Sequence, residues 1–178
     1  MGTHRAAIRY AKSLIELSQE QKSLEKVNED MRLFTKVTSE NRELAVILKN
    51  PIIPSGRKKA VIKALFEGKV QPITLKAFDL IVAKGRENIL EEIAVQFASE
   101  YNVIKGIVEA LVSTPYKLDG EQRKKIIEIV EETTGKKAEL KETIDEALIG
   151  GFLLKIGDKQ VDESVKSKLT KIQRALVA

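Results

Sequence analysis

The chain has 178 residues, 43% of them hydrophobic, enough for one ordinary domain or two small ones with separate cores. It has no Cys and a single His, His4, which excludes disulfides and thiolate metal centres and leaves no zinc cluster. Lys and Arg (31) outnumber Asp and Glu (26), giving +5 and the idea of an anionic partner, but aromatics are only 4%, too few for the stacking platforms that bind single strands.

In chain order, Ala7, Ala11, Leu14, Ile15 and Ser18 recur at steps of three and four, predicting a helix over 5–18. Ile8, Tyr10 and Leu17 give it more than one apolar face. Leu24, Val27, Met31 and Phe34 form the stripe of a second, amphipathic helix. A shorter helix around Leu44, Ile47 and Leu48 stops at Asn50-Pro51, because the residue before proline is pushed out of the helical region. The apolar linker Ile52-Ile53 is expected to stay docked. Ser55 is the expected N-cap of the next helix, which carries Val61, Ile62, Leu65 and Phe66 to Gly68. Pro72 suits the first turn of a fifth helix through Ile73, Ala77, Phe78, Leu80 and Ile81, with Gly85 as its stop. Asn88 with Glu91 resembles a capping box for a sixth helix through Ile93, Ala94, Phe97 and Tyr101.

The period changes near Lys105-Gly106. Ile107 to Thr114 is β-branched and apolar and predicts a strand. Asp119 with Gln122 predicts a capped helix through Ile126, Ile127 and Val130 to Gly135, and Lys137 to Ile144 a second strand. A short strand from Phe152 to Ile156 is entered through Gly150-Gly151 and left through the turn Gly157-Asp158. Asp162 and Ser164 are candidate caps of a last helix to about Leu176. The expected order after the boundary is strand, helix, strand, strand, helix. The fold class is therefore mainly α, an N-terminal bundle of about six helices (1–105) followed by a small α/β domain (106–178).

In the last helix Val165, Leu169, Ile172 and Leu176 make a narrow apolar seam, which either covers the domain's own sheet or receives a partner helix.

No constellation for catalysis emerges. Gly150-Gly151 lacks the Lys-Ser or Lys-Thr of a phosphate loop, and a strand entry explains both glycines. Asp145 and Glu146 read as turn acids, and Ser13, Ser18 and Ser113 lack a nucleophile setting. Lys84-Gly85-Arg86 reads as a helix end. Basic clusters such as Arg57-Lys58-Lys59 and Arg123-Lys124-Lys125 alternate with acids such as Glu128, Glu131 and Glu132, as solvated helix faces do, so a basic nucleic-acid-binding module is only the alternative reading. No apolar run approaches the roughly 18 residues of a membrane span, and no signal segment follows Met1-Gly2-Thr3-His4-Arg5, so a soluble chain is expected.

Four pieces then fall into one order: Arg9-Tyr10-Ala11-Lys12-Ser13-Leu14, Leu48-Lys49-Asn50-Pro51-Ile52-Ile53, Lys84-Gly85-Arg86, and Ile149-Gly150-Gly151-Phe152 through Ile156-Gly157-Asp158-Lys159. In this order they resemble the delta subunit of F-type ATP synthases, equivalent to the mitochondrial oligomycin-sensitivity-conferring protein. The resemblance implies a non-catalytic stator subunit without cofactor or metal. Its bundle would bind the N-terminal helices of the catalytic head's alpha subunits, and its C-terminal domain the b subunits of the peripheral stalk. It further implies an alpha-binding groove on the first and fifth helices, with Tyr10, Leu14, Phe78, Leu80 and Ala83 as candidates. Val165, Leu169 and Ile172 are candidates for the stalk, and Gly150, Gly151 and Gly157 have a structural part. The start lacks an Arg- and Ser-rich transit segment, so a bacterial form is expected, on the cytoplasmic face of the cell membrane and tied to the membrane only through the complex.

Overall fold

The computed structural model describes the backbone of residues 2–177 and the side chains of 3–170 and Gln173. The chain forms two compact units, Met1–Tyr101 and Asn102–Ala178.

The first unit is a helical bundle: α1 (Gly2–Glu20), α2 (Leu24–Glu40), α3 (Arg42–Lys49), α4 (Ser55–Phe66), α5 (Pro72–Ala83) and α6, which begins at Leu90 and ends at Lys105 beyond the division. Its core is the set of stripes read from the sequence, closed at the centre by three rings. Phe34 of α2 lies 5.4 Å from Phe66 of α4 and 4.9 Å from Phe78 of α5, centroid to centroid. Tilted aromatic packing of this kind adds to burial worth roughly 1.5–3 kcal/mol per large side chain.

Two helix starts differ from expectation. Ser55 is the first residue of α4, not its cap; Pro54 holds the cap position and its carbonyl accepts from Arg57 N–H at 3.0 Å. Asn88 lies inside a 3-10 turn, Glu87–Ile89, with no side-chain cap, so α6 starts at Leu90. The cause is upstream: Gly85, at φ +65°, ends α5 with bonds from Gly85 N–H to Val82 O and from Arg86 N–H to Ile81 O, a Schellman closure that commits the next residues to a tight turn.

The linker expectation also fails for Ile52, which is 87% exposed. Asn50 Oδ1 accepts from Ile52 N–H at 2.9 Å, and this side-chain turn bends the segment away from the bundle. Lys58, counted with a solvated basic cluster, is instead buried at 1% exposure. Its ammonium donates to Leu48 O at 3.2 Å and to Glu87 at 2.6 Å, joining α3, α4 and the 3-10 turn.

The second unit is a four-stranded sheet in the order β2-β1-β3-β4. Strand β1 (Ile107–Thr114) runs parallel to β2 (Lys137–Ile144), joined by the crossover helix α7 (Gly120–Thr134). Strand β3 (Leu153–Ile156) is antiparallel to β1 on its other side, and β4 (Lys159–Asp162) is antiparallel to β3. The fourth strand is an addition to the expected order: Ile156 pairs with Lys159, so Gly157-Asp158 is the two-residue turn foreseen and the hairpin's return arm is a strand. The Asp119–Gln122 capping box forms in both directions, at 2.7 and 3.1 Å, and α7 stops at left-handed Gly135. Ala110, Val112, Ile126, Val130 and Leu154 are the buried core between α7 and one face of the sheet.

Helix α8 (Val165–Val177) follows β4. Ser164 Oγ accepts from Ser167 N–H at 3.2 Å, while Asp162 accepts from Ser164 N–H at 2.9 Å and from the Ser167 hydroxyl at 2.5 Å. Both candidate caps are used. The seam does not cover the sheet over its described part: Val165 is 39% exposed and Leu169 59%. The side chains of Ile172 and Leu176 lie outside the described residues.

Candidate functional site: an open groove between two helices

An apolar groove of about 400 Å³ lies between α1 and α5 in the first unit. From α1 come Tyr10, Leu14 and Leu17; from α5 come Ile73, Leu80 and Ile81. Leu14 and Ile81 are buried and form the floor, whereas Leu17 is 42% and Leu80 54% exposed. Leu17 and Leu80 thus give the groove an exposed apolar rim over a buried floor. The groove exists because both helices are apolar over more than the arc the bundle needs. Tyr10, Leu14 and Leu17 of α1 and Gln21 just after it line the groove at steps of four, three and four, the spacing that presents one edge.

Both walls are fixed by long-range polar contacts. Asp30 of α2 accepts from Gln71 N–H at 2.8 Å and from the Thr74 hydroxyl at 2.5 Å, so a residue of another helix caps the start of α5. At the other end Arg86, placed by the closure of α5, donates to Tyr10 Oη at 3.3 Å and lies 5.7 Å from the ring centroid. The Tyr10 ring is thereby held as a wall.

Of the residues expected at such a groove, Tyr10, Leu14 and Leu80 come together here. Ala83 is exposed on α5 but outside the lining, and Phe78 is 1% exposed in the aromatic core, turned from the groove. Leu17 and Ile73, read from the sequence as apolar positions of these helices but not assigned to the groove, do line it; their helical spacing from Leu14 and Leu80 is the signal that places them there.

In the second unit the three glycines have distinct parts. Gly151, at φ +79°, passes so close to the Glu163–Ser164 backbone that a Cβ would meet the Glu163 carbonyl oxygen and stand 2.9 Å from Ser164 Cα. Gly150 O accepts from Val165 N–H at 3.0 Å, tying the strand entry to the start of α8. Gly157 is the left-handed residue of the β3–β4 turn. A second apolar groove, of about 350 Å³, lies between α7 and the strand entry, with Tyr116, Ile129 and Phe152 among its walls.

Burial raises the Glu87 carboxyl, but the Lys58 hydrogen bond, a backbone bond within its own residue and the Lys58 charge outweigh this and hold it below the ordinary range. The pair is a bundle clamp. Asp145 accepts from Ala147 N–H at 3.0 Å, the part of a turn residue. Among the described residues no three His, Asp or Glu side chains converge to hold a metal ion, and no helix is long and apolar enough to cross a membrane. Several exposed cations pair with acids, including Lys49 with Glu91 at 2.8 Å and Arg123 with Glu142 at 2.5 Å.

Residues 6–176 match the family model described as ATP synthase delta (OSCP) subunit. The ATP synthase subunit delta of Cytophaga hutchinsonii is 41% identical, over 95% of this chain and 92% of the relative. That of Christiangramia forsetii is 38% identical over 97% and 93%, and that of Desulforamulus reducens 35% over 97% and 95%. Among solved structures, a chain of the Toxoplasma gondii mitochondrial ATP synthase hexamer superposes with a TM-score of 0.75 at 23% identity, covering 97% of each chain, a likeness of fold.

Proposed function

This chain belongs to the ATP synthase delta (OSCP) subunit family, and from that premise we propose that it is the stator adaptor joining the catalytic head to the peripheral stalk. The bundle receives the N-terminal helices of the alpha subunits, and the second unit receives the b subunits. Held at both ends, it keeps the head from turning with the rotor during proton-driven ATP synthesis. It acts by binding, without an active site, on the cytoplasmic face of the bacterial cell membrane, and reaches the membrane only through the complex.

The observation that carries this reading is the open groove of α1 and α5, whose apolar edges Leu17 and Leu80 are exposed over a buried floor. An amphipathic helix laid along it buries its apolar stripe as helix-in-groove partners do. On the stalk side, the exposed Val165 and Leu169 of α8 are the corresponding surface, with Ile172 in the same seam by sequence.

Titration of the purified protein with a peptide of the alpha N-terminus tests the head contact. Saturable binding is expected, and Leu80→Asp should abolish it without loss of helical content. Absence of saturable binding by the unaltered protein, both to the peptide and to isolated catalytic head, would sink the proposal.

A further inference from the structure

We propose that the groove selects a helix with a carboxylate on one flank of its apolar stripe, and that Lys76 is the residue that reads it. The inference rests on the reading of the groove as the alpha-subunit site and adds the charge pattern of the partner.

Lys76 is exposed and is the one charged side chain among the described residues lining the groove. It stands on α5 three residues after Ile73 and four before Leu80, hence on the same edge as both. Three other cations of the bundle are engaged: Lys12 with Glu100 at 3.5 Å, Lys59 with Asp79 at 3.0 Å, Arg86 with the Tyr10 ring. Lys76 has no ion-pair partner among the described residues. A cation kept unpaired beside an apolar floor is weakly engaged while water fills the groove. Once a helix displaces that water, a carboxylate facing Lys76 gains from the lower local dielectric, and a cation there is repelled.

The facing edge has no charged lining residue. Gln21, at this end of the lining, stands between exposed Glu20 and exposed Lys22, whose charges offset each other. A helix turned end for end with its apolar face still down exchanges its two flanks, so a charge on one rim alone discriminates between the two directions of docking. Apolar contacts alone do so weakly. Lys76 therefore contributes orientation and selectivity, while Leu17 and Leu80 contribute most of the affinity.

The test uses the full chain and a synthetic peptide of its cognate alpha N-terminus, titrated by calorimetry at low and high salt. Lys76→Glu is expected to weaken binding on the order of 10-fold at low salt, with the difference shrinking at high salt. Exchanging one acidic residue of the peptide for Lys should restore affinity to the Lys76→Glu protein while weakening that of the unaltered one. Lys63→Glu, on α4 outside the groove, serves as the control and should bind as the unaltered protein does. Unchanged low-salt affinity of Lys76→Glu, or weakening that no peptide exchange restores, overturns the charge reading if Leu80→Asp still abolishes binding. If Leu80→Asp also binds normally, the groove itself is not the site.

Discussion

The carboxylate of Asp30, on α2, accepts a 2.5 Å hydrogen bond from the hydroxyl of Thr74, in the first turn of α5. The same oxygen accepts from Gln71 N–H, so α5 has no local side-chain cap and takes this one from 41 residues upstream. Asp30→Ala leaves the part-buried Gln71 N–H and the buried Thr74 hydroxyl unsatisfied at the start of the helix that forms one groove wall. It should cost about 2 kcal/mol in denaturant unfolding. Asp30→Asn, which keeps one acceptor, should cost less. Because α5 is positioned by this contact, peptide affinity should fall with Asp30→Ala even where the protein remains folded.

The Lys58–Glu87 clamp makes a prediction in pH. The Glu87 carboxyl is held below its ordinary range, so its contribution to stability is fully present above the unfolded-state value of about 4.3 and is lost as pH falls through the lower folded value. Glu87→Gln should flatten the acid limb of the stability curve in that window. Lys58→Met leaves a largely buried carboxylate with one oxygen, Oε2, already without a partner, and should cost about 3–5 kcal/mol. Adding Glu87→Leu to it should restore most of that loss. A double variant as unstable as the single one would show that the lysine stem, not the charge pair, holds α4.

Adjacent glycines should behave oppositely. Gly151→Ala forces a Cβ into the backbone at Glu163 and Ser164 from a left-handed φ, and neither obstacle can turn aside, so a loss of at least about 3 kcal/mol is expected. A Cβ on Gly150 meets only Val165 Cγ2, at 3.1 Å, and that half-exposed side chain can rotate. Gly150→Ala should therefore stay within about 1 kcal/mol of the unaltered protein. Separate thermal melts, with the near-native signal of each unit followed by hydrogen exchange, distinguish the two outcomes.

What the sequence made legible follows from the range of the forces involved. Helix stripes, the Asp119–Gln122 box and the glycine stops at Gly85 and Gly135 are written within a few residues of where they act, and each forms as read. The starts at Ser55 and Asn88 misled because a cap residue acts only if the preceding backbone lets it, and Pro54 and the Gly85 closure had settled that backbone already. Lys58 looked like one of three solvated cations, since nothing local to it shows that Glu87 and Leu48 O converge there. The groove was half visible. Tyr10, Leu14 and Leu80 were candidates through the family resemblance, as was Phe78, which shares α5 and hydrophobicity with Leu80, and only the packing of Phe34 and Phe66 assigns Phe78 to the core.

The α8 seam separates stability from binding. Leu169 is 59% exposed, and neither it nor Val165 joins the core of Ala110, Val112 and Leu154, so these two residues stabilise the unit little as it stands. Leu169→Asp should change unfolding by less than about 1 kcal/mol, as surface substitutions do. If the seam is where the stalk docks, the same variant places a charge in an interface core and should weaken capture of the soluble part of the b subunits by more than 10-fold, about 1.4 kcal/mol or greater. Calorimetric titration of both proteins against that b fragment, with urea melts alongside, reads both quantities. Lost stability with unimpaired stalk binding would assign Leu169 to the fold and move the stalk contact elsewhere on the unit, the groove beside Tyr116 and Phe152 being next to examine by the same substitution strategy.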